Sequence, residues 1–148
     1  MEEFTNPSVE AIRARLQRVR SIAVIGLSPD ESRPSHRVAR AMQAAGFRII
    51  PVRPGGGTVL GESVRASLDE IDGPVDLVDV FRASEHVSGI IDDVLRLGLP
   101  AVWLQDGVID HAAALRAEAA GVFVVMDRCL YRDGLPLVDL SALKDAKT

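Results

Sequence analysis

The residues with the clearest potential for chemistry follow a short apolar segment, Ser21–Leu27. Gly26 and Ser28 lie at its end, a polar loop comes next, and a helical pattern begins near Ser35. Glycine permits a tight turn, and a helix that starts just after such a turn directs free backbone N–H groups toward an anion. This order predicts a phosphate site. Only one glycine stands where the dinucleotide motif G-x-G-x-x-G has three, so a strand-to-helix turn without a ligand is an equally good reading.

Arginines supply the second indication of an anionic ligand. Arg53 ends the next apolar segment, where NAD-binding domains commonly carry an acidic residue for the ribose hydroxyls. An arginine there suits a nucleotide with an extra ribose phosphate, such as NADP or coenzyme A (CoA), and the alternative is an ordinary solvated arginine. Arg33 and Arg37 flank the helix start, where a cation opposes the helix dipole unless an anion is bound. The run Gly55-Gly56-Gly57 is either an anion nest or, more simply, a flexible loop.

Candidate catalytic groups are few. His36, His86 and His111 have no metal-ligand spacing with one another or with Cys129. Cys129 follows a predicted strand, and the neighbouring Arg128 would favour its thiolate, although a buried structural thiol is an equally good reading. The residues therefore identify no catalytic or metal-binding group. They favour binding over catalysis and leave the question of an enzyme undecided.

Composition limits the possible functions. The chain has 148 residues, which predicts a single domain over residues 1–148, with a core at about 9–129. A net charge of −4 gives no general attraction to nucleic acid or to an anionic membrane, and the single cysteine cannot form an internal disulfide. The N-terminus has no signal-like pattern, and no apolar run reaches the ~20 residues of a membrane helix. These features predict a soluble cytoplasmic protein.

Hydrophobic periodicity predicts a doubly wound α/β fold with a parallel sheet of roughly five strands in a three-layer sandwich. The predicted strands are Ser21–Leu27, Phe47–Val52, Val75–Phe81, Ala101–Gln105 and Val122–Met126. The predicted helices begin at Ser8, Ser35, Ser84 and Asp110, each with a polar side chain suited to a helix start. In such sheets ligands bind at the carboxyl ends of the strands.

The remaining segments are predicted to be less regular. Residues 1–6 are expected to be loose, and residues 58–74 to form a connection with one helical turn near Ser67–Ile71. Asp76 and Asp79 are unusual inside a predicted strand, so one of them is expected at a strand end or in a local hydrogen bond. Residues 130–148 are expected to form a C-terminal extension.

Several segments near the strand ends occur in an order typical of one family. They are Val24-Ile25-Gly26-Leu27-Ser28, Arg33-Pro34-Ser35, Ile50-Pro51-Val52-x-Pro54, Leu60-Gly61-Glu62, Val78-Asp79-Val80-Phe81-Arg82, Val102-Trp103-Leu104-Gln105-x-Gly107 and Val125-Met126-Asp127-Arg128-Cys129. Together they resemble the small stand-alone CoA-binding domain proteins of bacteria and archaea. Those proteins are similar to the CoA-binding domain of the succinyl-CoA synthetase α-subunit.

The resemblance implies a Rossmann-like fold with CoA lying across the strand ends. It implies four groups of contacts in order along the chain: residues that bind the phosphates, residues that bind the adenosine, residues that form a wall of the crevice, and residues that lie along the pantetheine arm. The residues concerned are Gly26, Ser28, Arg33 and Ser35 for the phosphates, Val52, Arg53 and Pro54 for the adenosine, Phe81 and Arg82 for the wall, and Gln105 and Gly107 for the pantetheine. Leu27, Pro34 and Cys129 lie within the same segments and are expected to take part in binding. The family usually has Asn where this chain has Arg53. No histidine matches the catalytic histidine of the synthetase subunit.

The sequence thus predicts a protein that binds CoA or an acyl-CoA at the carboxyl ends of its strands, without established catalysis. Two alternatives come from other classes. One is an NADP-dependent oxidoreductase, which would need a proton donor or a substrate domain that the sequence does not reveal. The other is a regulatory subunit that docks on an acyl-CoA enzyme; the sequence names no such partner.

Overall fold

A parallel five-stranded sheet forms the centre of the computed structural model, which describes residues 2–145. Its strands are β1 (Ser21–Ile25), β2 (Arg48–Val52), β5 (Leu77–Val80), β6 (Ala101–Leu104) and β7 (Phe123–Val125). They lie in the order β2-β1-β5-β6-β7, so the chain builds outward from β1 in one direction and then in the other. The reversal between β1 and β5 is the topological switch point, at which doubly wound sheets bind their ligands.

Helices cover both faces of the sheet. They are α1 (Val9–Gln17), α2 (Pro34–Ala45), α3 (Val87–Arg96), α4 (His111–Ala119) and α5 (Leu140–Asp145). Apolar side chains of α3 and α4 pack on one face of the sheet, and those of α1, α2 and α5 belong to the cluster on the other face. Trp103 of β6 is buried in that second cluster, and its indole N–H donates to the Arg128 carbonyl at 2.9 Å. The predicted three-layer, Rossmann-like architecture is confirmed.

One predicted helix start was wrong. Ser35 does not cap α2, because the helix begins at Pro34 and the N-cap residue is Arg33, two residues before Ser35. Proline suits the first helical position, since it has no N–H to leave unpaired there. The connection after β2 contains a short antiparallel hairpin of β3 (Thr58–Val59) and β4 (Glu62–Ser63), with the predicted helical turn following at Leu68–Glu70.

The chain ends are better anchored than the sequence suggested. Phe4 is 6% exposed, and the Asn6 side chain exchanges two hydrogen bonds with the backbone of Met126. In the C-terminal extension, Leu130 and Leu143 are fully buried. Met1 and residues 146–148, which belong to the segments predicted as loose end and extension, lie outside the described residues. Long-range packing therefore orders segments whose local pattern is weak.

The two aspartates of the third predicted strand have distinct roles. Asp76 precedes β5 and accepts hydrogen bonds from the backbone N–H groups of Arg20 and Ser21, at 2.8 and 3.1 Å. Asp79 lies inside β5 and is fully buried, with one carboxyl oxygen accepting from the Gln105 amide and the other unpaired. Burial raises the pKa of Asp79 to about 7, because the charged form loses its hydration, while the Gln105 hydrogen bond acts in the opposite direction.

The raised pKa predicts a specific pH dependence of stability. Between the ordinary aspartate pKa of 3.8 and about 7, the folded protein holds a proton on Asp79 that the unfolded chain has released. The free energy of unfolding should therefore fall with rising pH across this window, by up to ~1.4 kcal/mol per pH unit, and level off above it. Asp79→Asn removes this contribution. Urea unfolding at several pH values should show the slope only in the unmutated protein, and parallel curves for the two proteins would contradict the assignment.

Candidate ligand-binding site

A crevice lies at the carboxyl edge of the sheet, at the switch point between β1 and β5. Its cavity has a volume of about 500 Å³. Four chain segments supply its lining: the β1–α2 turn, the start of α2, the end of β2 and the residues that follow β5. The lining residues are Gly26, Ser28, Arg33, Pro34, Ser35, Arg53, Pro54, Phe81 and Arg82. All nine are among the residues that the sequence pointed to, and the fold brings them together.

Gly26 closes the base of the crevice. Its φ is +84°, and its N–H donates to the Val52 carbonyl at 2.9 Å. A Cβ at this position would lie 2.4 Å from the Phe81 carbonyl oxygen, so no side chain fits without movement of the backbone. This close approach joins the turn after β1 to the ends of both neighbouring strands.

Two consecutive side chains of α2 hold the Ser28 peptide in place. The Ser28 N–H donates to Ser35 Oγ at 3.0 Å, and His36 Nδ1 lies 2.9 Å from the Ser28 carbonyl oxygen. A carbonyl oxygen can only accept, so Nδ1 carries the hydrogen. His36 is 6% exposed. The sequence gave His36 no role, because it lacks metal-ligand spacing with the other histidines. Its position directly after Ser35 at a helix start was the available signal for this hydrogen bond.

The N-terminus of α2 differs from those of α1 and α4. Ser8 and Asp110 cap those two helices through their side chains, at 3.1 and 3.0 Å. Arg33, the N-cap residue of α2, makes no such side-chain bond, and the first turn of α2 contains no acidic residue. Pro34 has no N–H, and the N–H groups of His36 and Arg37 donate to the Arg33 carbonyl, so the Ser35 N–H is the backbone donor of this first turn that can meet an anion. The start of α2 is therefore suited to an anion from outside the chain.

Three arginines give the crevice a positive potential. Arg33, Arg53 and Arg82 line it, and no carboxylate is among its lining residues. The Arg53 guanidinium makes only long hydrogen bonds to the Leu27 and Pro54 carbonyls, at 3.4 and 3.3 Å. Arg82 Nη2 lies 3.1 Å from His86 Nε2. Cations grouped in a cleft concentrate an anionic ligand there.

Asp30 is the carboxylate near this cluster, at 3.9 Å from Arg33 Nε. Hydrogen bonds from the hydroxyl and N–H of Ser32 lower the pKa of Asp30, so the group stays ionised at neutral pH. Both side chains of the Arg33–Asp30 pair are more than half exposed to solvent. Such a pair is weak, and Arg33 can exchange this contact for a phosphate at little cost.

The other predicted site residues lie outside the crevice lining. Leu27 and Val52 are buried beneath it, and Gln105 is buried with its amide on Asp79. Gly107 lies in the loop after β6, where its N–H donates to Asp127 Oδ1 at 2.8 Å. Cys129 is half-buried, and its Sγ accepts from the Arg132 N–H at 3.4 Å. Gln105, Gly107 and Cys129 follow β6 and β7 along the same edge of the sheet, away from the arginine cluster.

The model of a protein family described as "CoA binding domain" matches residues 20–134. The chain belongs to this CoA-binding domain family. Family membership supports CoA binding as the general function. The crevice residues and the predicted pantetheine-side residues all lie within the matched region.

A curated protein and a solved structure are similar to most of this chain. The uncharacterized protein YneT of Bacillus subtilis (strain 168) is 44% identical over 125 residues, which cover 84% of this chain and 93% of that protein. The structure of cell-free ID.343 from Thermus thermophilus has a TM-score of 0.84 and 37% identity, covering 88% of this chain and 99% of that one.

A larger protein shares the fold. The dinucleotide-forming acetyl-coenzyme A synthetase 1 of Ca. Korarchaeum cryptofilum, in complex with phosphate and ADP, has a TM-score of 0.67 at 22% identity. The match covers 76% of this chain and 27% of the synthetase chain. At this level of identity the likeness concerns the fold alone.

Among residues 2–145, no cluster of three or more His, Cys, Asp or Glu side chains could hold a metal ion. None of the helices in that range is both long and apolar enough to cross a bilayer.

The close approach at Gly26 predicts a position-specific loss of stability. Gly57 is a matched control, because its φ is also +84° but a Cβ there would meet no atom within 4 Å. Both Gly→Ala changes carry the same backbone strain, and only Gly26→Ala adds the clash with the Phe81 carbonyl. Gly26→Ala should therefore lower the free energy of unfolding by about 1–3 kcal/mol more than Gly57→Ala. Urea unfolding of the two variants measures the difference, and equal losses would contradict the account.

Proposed function

We propose that the chain binds CoA, free or as an acyl thioester, with the nucleotide in the crevice at the switch point and without catalysis of its own. The observation that carries this proposal is the convergence of three arginines and an uncapped helix N-terminus on one cavity that no carboxylate lines. CoA brings a diphosphate and a ribose 3′-phosphate, so it offers anionic groups to both ends of this cluster.

The diphosphate is assigned to the start of α2. There the Ser35 N–H, the Ser28 and Ser35 hydroxyls and the Arg33 guanidinium belong to residues that line the same cavity. Because Ser35 and His36 fix the Ser28 peptide in advance, little ordering of this loop would accompany binding. A site that is ordered before binding loses less free energy on association.

The adenosine is assigned to the end of β2. Arg53 and Pro54 line the cavity on this side, and Val52 lies buried beneath them. The Arg53 guanidinium already faces the β1 turn through its long contact with the Leu27 carbonyl, so a phosphate can replace weak neutral acceptors. Charge-assisted hydrogen bonds are about twice as strong as neutral ones.

The pantetheine arm is assigned to the edge that leads away from the nucleotide. Phe81 and Arg82 form the wall of the crevice on this side, and Gln105 and Gly107 follow at the end of β6. Cys129, after β7, lies further along the same edge. In this orientation the thiol end of the ligand lies away from the arginines.

The absence of an acidic residue at the end of β2 predicts ligand selectivity. NAD-binding domains use such a residue for the free ribose hydroxyls, and Arg53 occupies this place here. CoA should therefore bind more tightly than NAD. It should also bind more tightly than NADP, because the proposed site accommodates a pantetheine arm in the place where NADP would present its nicotinamide ring. Isothermal titration calorimetry with the three ligands tests this order, and NAD or NADP binding as tightly as CoA would overturn it.

Two arginines should respond differently to the ribose phosphate. A hydrogen bond to a charged group contributes roughly 1.5–3 kcal/mol, so dephospho-CoA should bind about ten- to a hundredfold more weakly than CoA. Arg53→Ala should erase most of this difference, because Arg53 contacts the phosphate that dephospho-CoA lacks. Arg33→Ala should weaken both ligands alike, because both carry the diphosphate. Calorimetry with the two ligands measures each ratio.

Arg40→Ala is the matched control for these two variants, since Arg40 is an exposed arginine on α2 outside the crevice lining. It should leave both affinities unchanged. Equal affinity of the unmutated protein for CoA and dephospho-CoA would place the 3′-phosphate in solvent and remove the role of Arg53. CoA binding itself would survive that result.

A further inference from the structure

The CoA site proposed above makes no use of the N-terminal segment, residues 2–7. This segment is hydrogen-bonded to the end of β7 and to the first residue of α4. Together with these two elements it lines a second cavity, of about 470 Å³. Residues 2–5 are called the strap below, because they cover this cavity beyond the point at which Asn6 is fixed.

Asn6 attaches the segment to β7 through bonds that do not depend on pH. Its side-chain amide donates to the Met126 carbonyl at 2.9 Å and accepts from the Met126 N–H at 2.8 Å. A carboxamide does not titrate in the physiological range, and the ring of the following Pro7 restricts the backbone there. Asn6 is therefore a fixed point from which the strap extends.

The strap itself is held by a histidine. The Phe4 N–H donates to His111 Nδ1 at 3.0 Å. Because a backbone N–H can only donate, Nδ1 carries no hydrogen, and the closed strap requires a neutral imidazole. Protonation would place a hydrogen on Nδ1, so that two donors would face each other. Closure of the strap and protonation of His111 therefore exclude each other.

Charged groups from each neighbouring element lie near His111. Asp127 and Arg128, at the end of β7, border the same cavity and have opposite charges. Asp110 precedes His111 and caps α4 through its carboxylate, and the strap carries two exposed glutamates. Histidine is the side chain whose charge ordinarily changes between pH 5 and 8. His111 is therefore the group beside the strap that responds to pH in this range.

Opening of the strap would uncover Phe4. This side chain is 6% exposed and belongs to the apolar cluster that α3 and α4 form with one face of the sheet. Its burial favours the closed strap at neutral pH. Loss of the bond to His111 opposes closure once the imidazole is charged, so the balance between the two states changes with pH.

We propose that the strap is a pH-sensitive cover of the second cavity, closed over neutral His111 and released when His111 is protonated, with Asn6 as its hinge. The proposal does not depend on CoA binding, because none of these residues lines the crevice.

The test is solvent exchange of backbone amides in the full chain, followed by NMR at pH 7.5 and pH 5.5. Each rate is divided by that of the same amide in an unstructured reference peptide, which removes the intrinsic effect of pH on exchange. The resulting protection factor of Phe4 should fall about tenfold, since opening takes up one proton over the range in which histidine titrates. The protection factor of Met126, whose N–H is held by Asn6, should not fall.

His111→Asn is the matched variant. An asparagine Oδ1 can replace Nδ1 as the acceptor at every pH, so the protection factor of Phe4 should then be the same at both pH values.

Each other outcome would overturn part of the proposal. A protection factor of Phe4 that does not fall in the unmutated protein would remove the pH-sensitive contact, and so would an equal fall in His111→Asn. A fall of the same size at Met126 would remove Asn6 as the hinge. Global unfolding cannot imitate the expected result, because Asp79 contributes more stability at pH 5.5 than at pH 7.5. The comparison of the two amides in the unmutated protein decides the inference even if His111→Asn does not fold.

Discussion

The close approach of Gly26 to the Phe81 carbonyl is the constraint on which the crevice depends. It brings the turn after β1 against the chain leaving β5, at the place where the strand order reverses. The hydrogen bond from Gly26 to Val52 extends the same contact to β2. Because three strand ends meet there, residues from distant parts of the sequence line one cavity.

The crevice combines a rigid backbone loop with a group of positively charged side chains. Ser35 accepts from the Ser28 N–H and His36 donates to the Ser28 carbonyl, so the loop before α2 is held in place without a ligand. The arginines near this loop make only weak contacts within the protein: the Arg33–Asp30 pair is exposed to solvent, and the Arg53 hydrogen bond to Leu27 is long. Such a site offers its charges to a ligand at little cost, since few strong interactions within the protein must break. This is the physical basis for the assignment of an anionic nucleotide to the crevice.

Much of the fold could be predicted from the sequence, because its strands and helices carry strong local patterns. The apolar run before Gly26 and the change to helical spacing after it predict a strand, a turn and a helix, and the structure has them in that order. The crevice residues could be predicted for the same reason, since strand ends in a parallel sheet share one edge. The sequence did not separate the residues that line the crevice from three that are buried instead, Leu27, Val52 and Gln105. Whether a residue at a strand end lines the crevice depends on the direction of its side chain, which its position in the sequence does not give.

What could not be predicted depends on contacts between distant residues. The hairpin of β3 and β4 has strands of two residues each, too short to show an alternating pattern. Phe4 and Asn6 are ordered by Met126 and His111, more than a hundred residues away. Contacts between residues this far apart leave no signal in the local sequence pattern.

The central claim is that the diphosphate of CoA lies at the start of α2. It is tested most directly by NMR, with amide resonances of the ¹⁵N-labelled protein followed during titration with CoA. The account predicts that the largest shifts occur at Ser28, Ser35 and Arg53, while Asp76, at the opposite edge of the sheet, keeps its resonance. Shifts centred on other residues, with Ser28 and Ser35 unchanged at saturation, would contradict it.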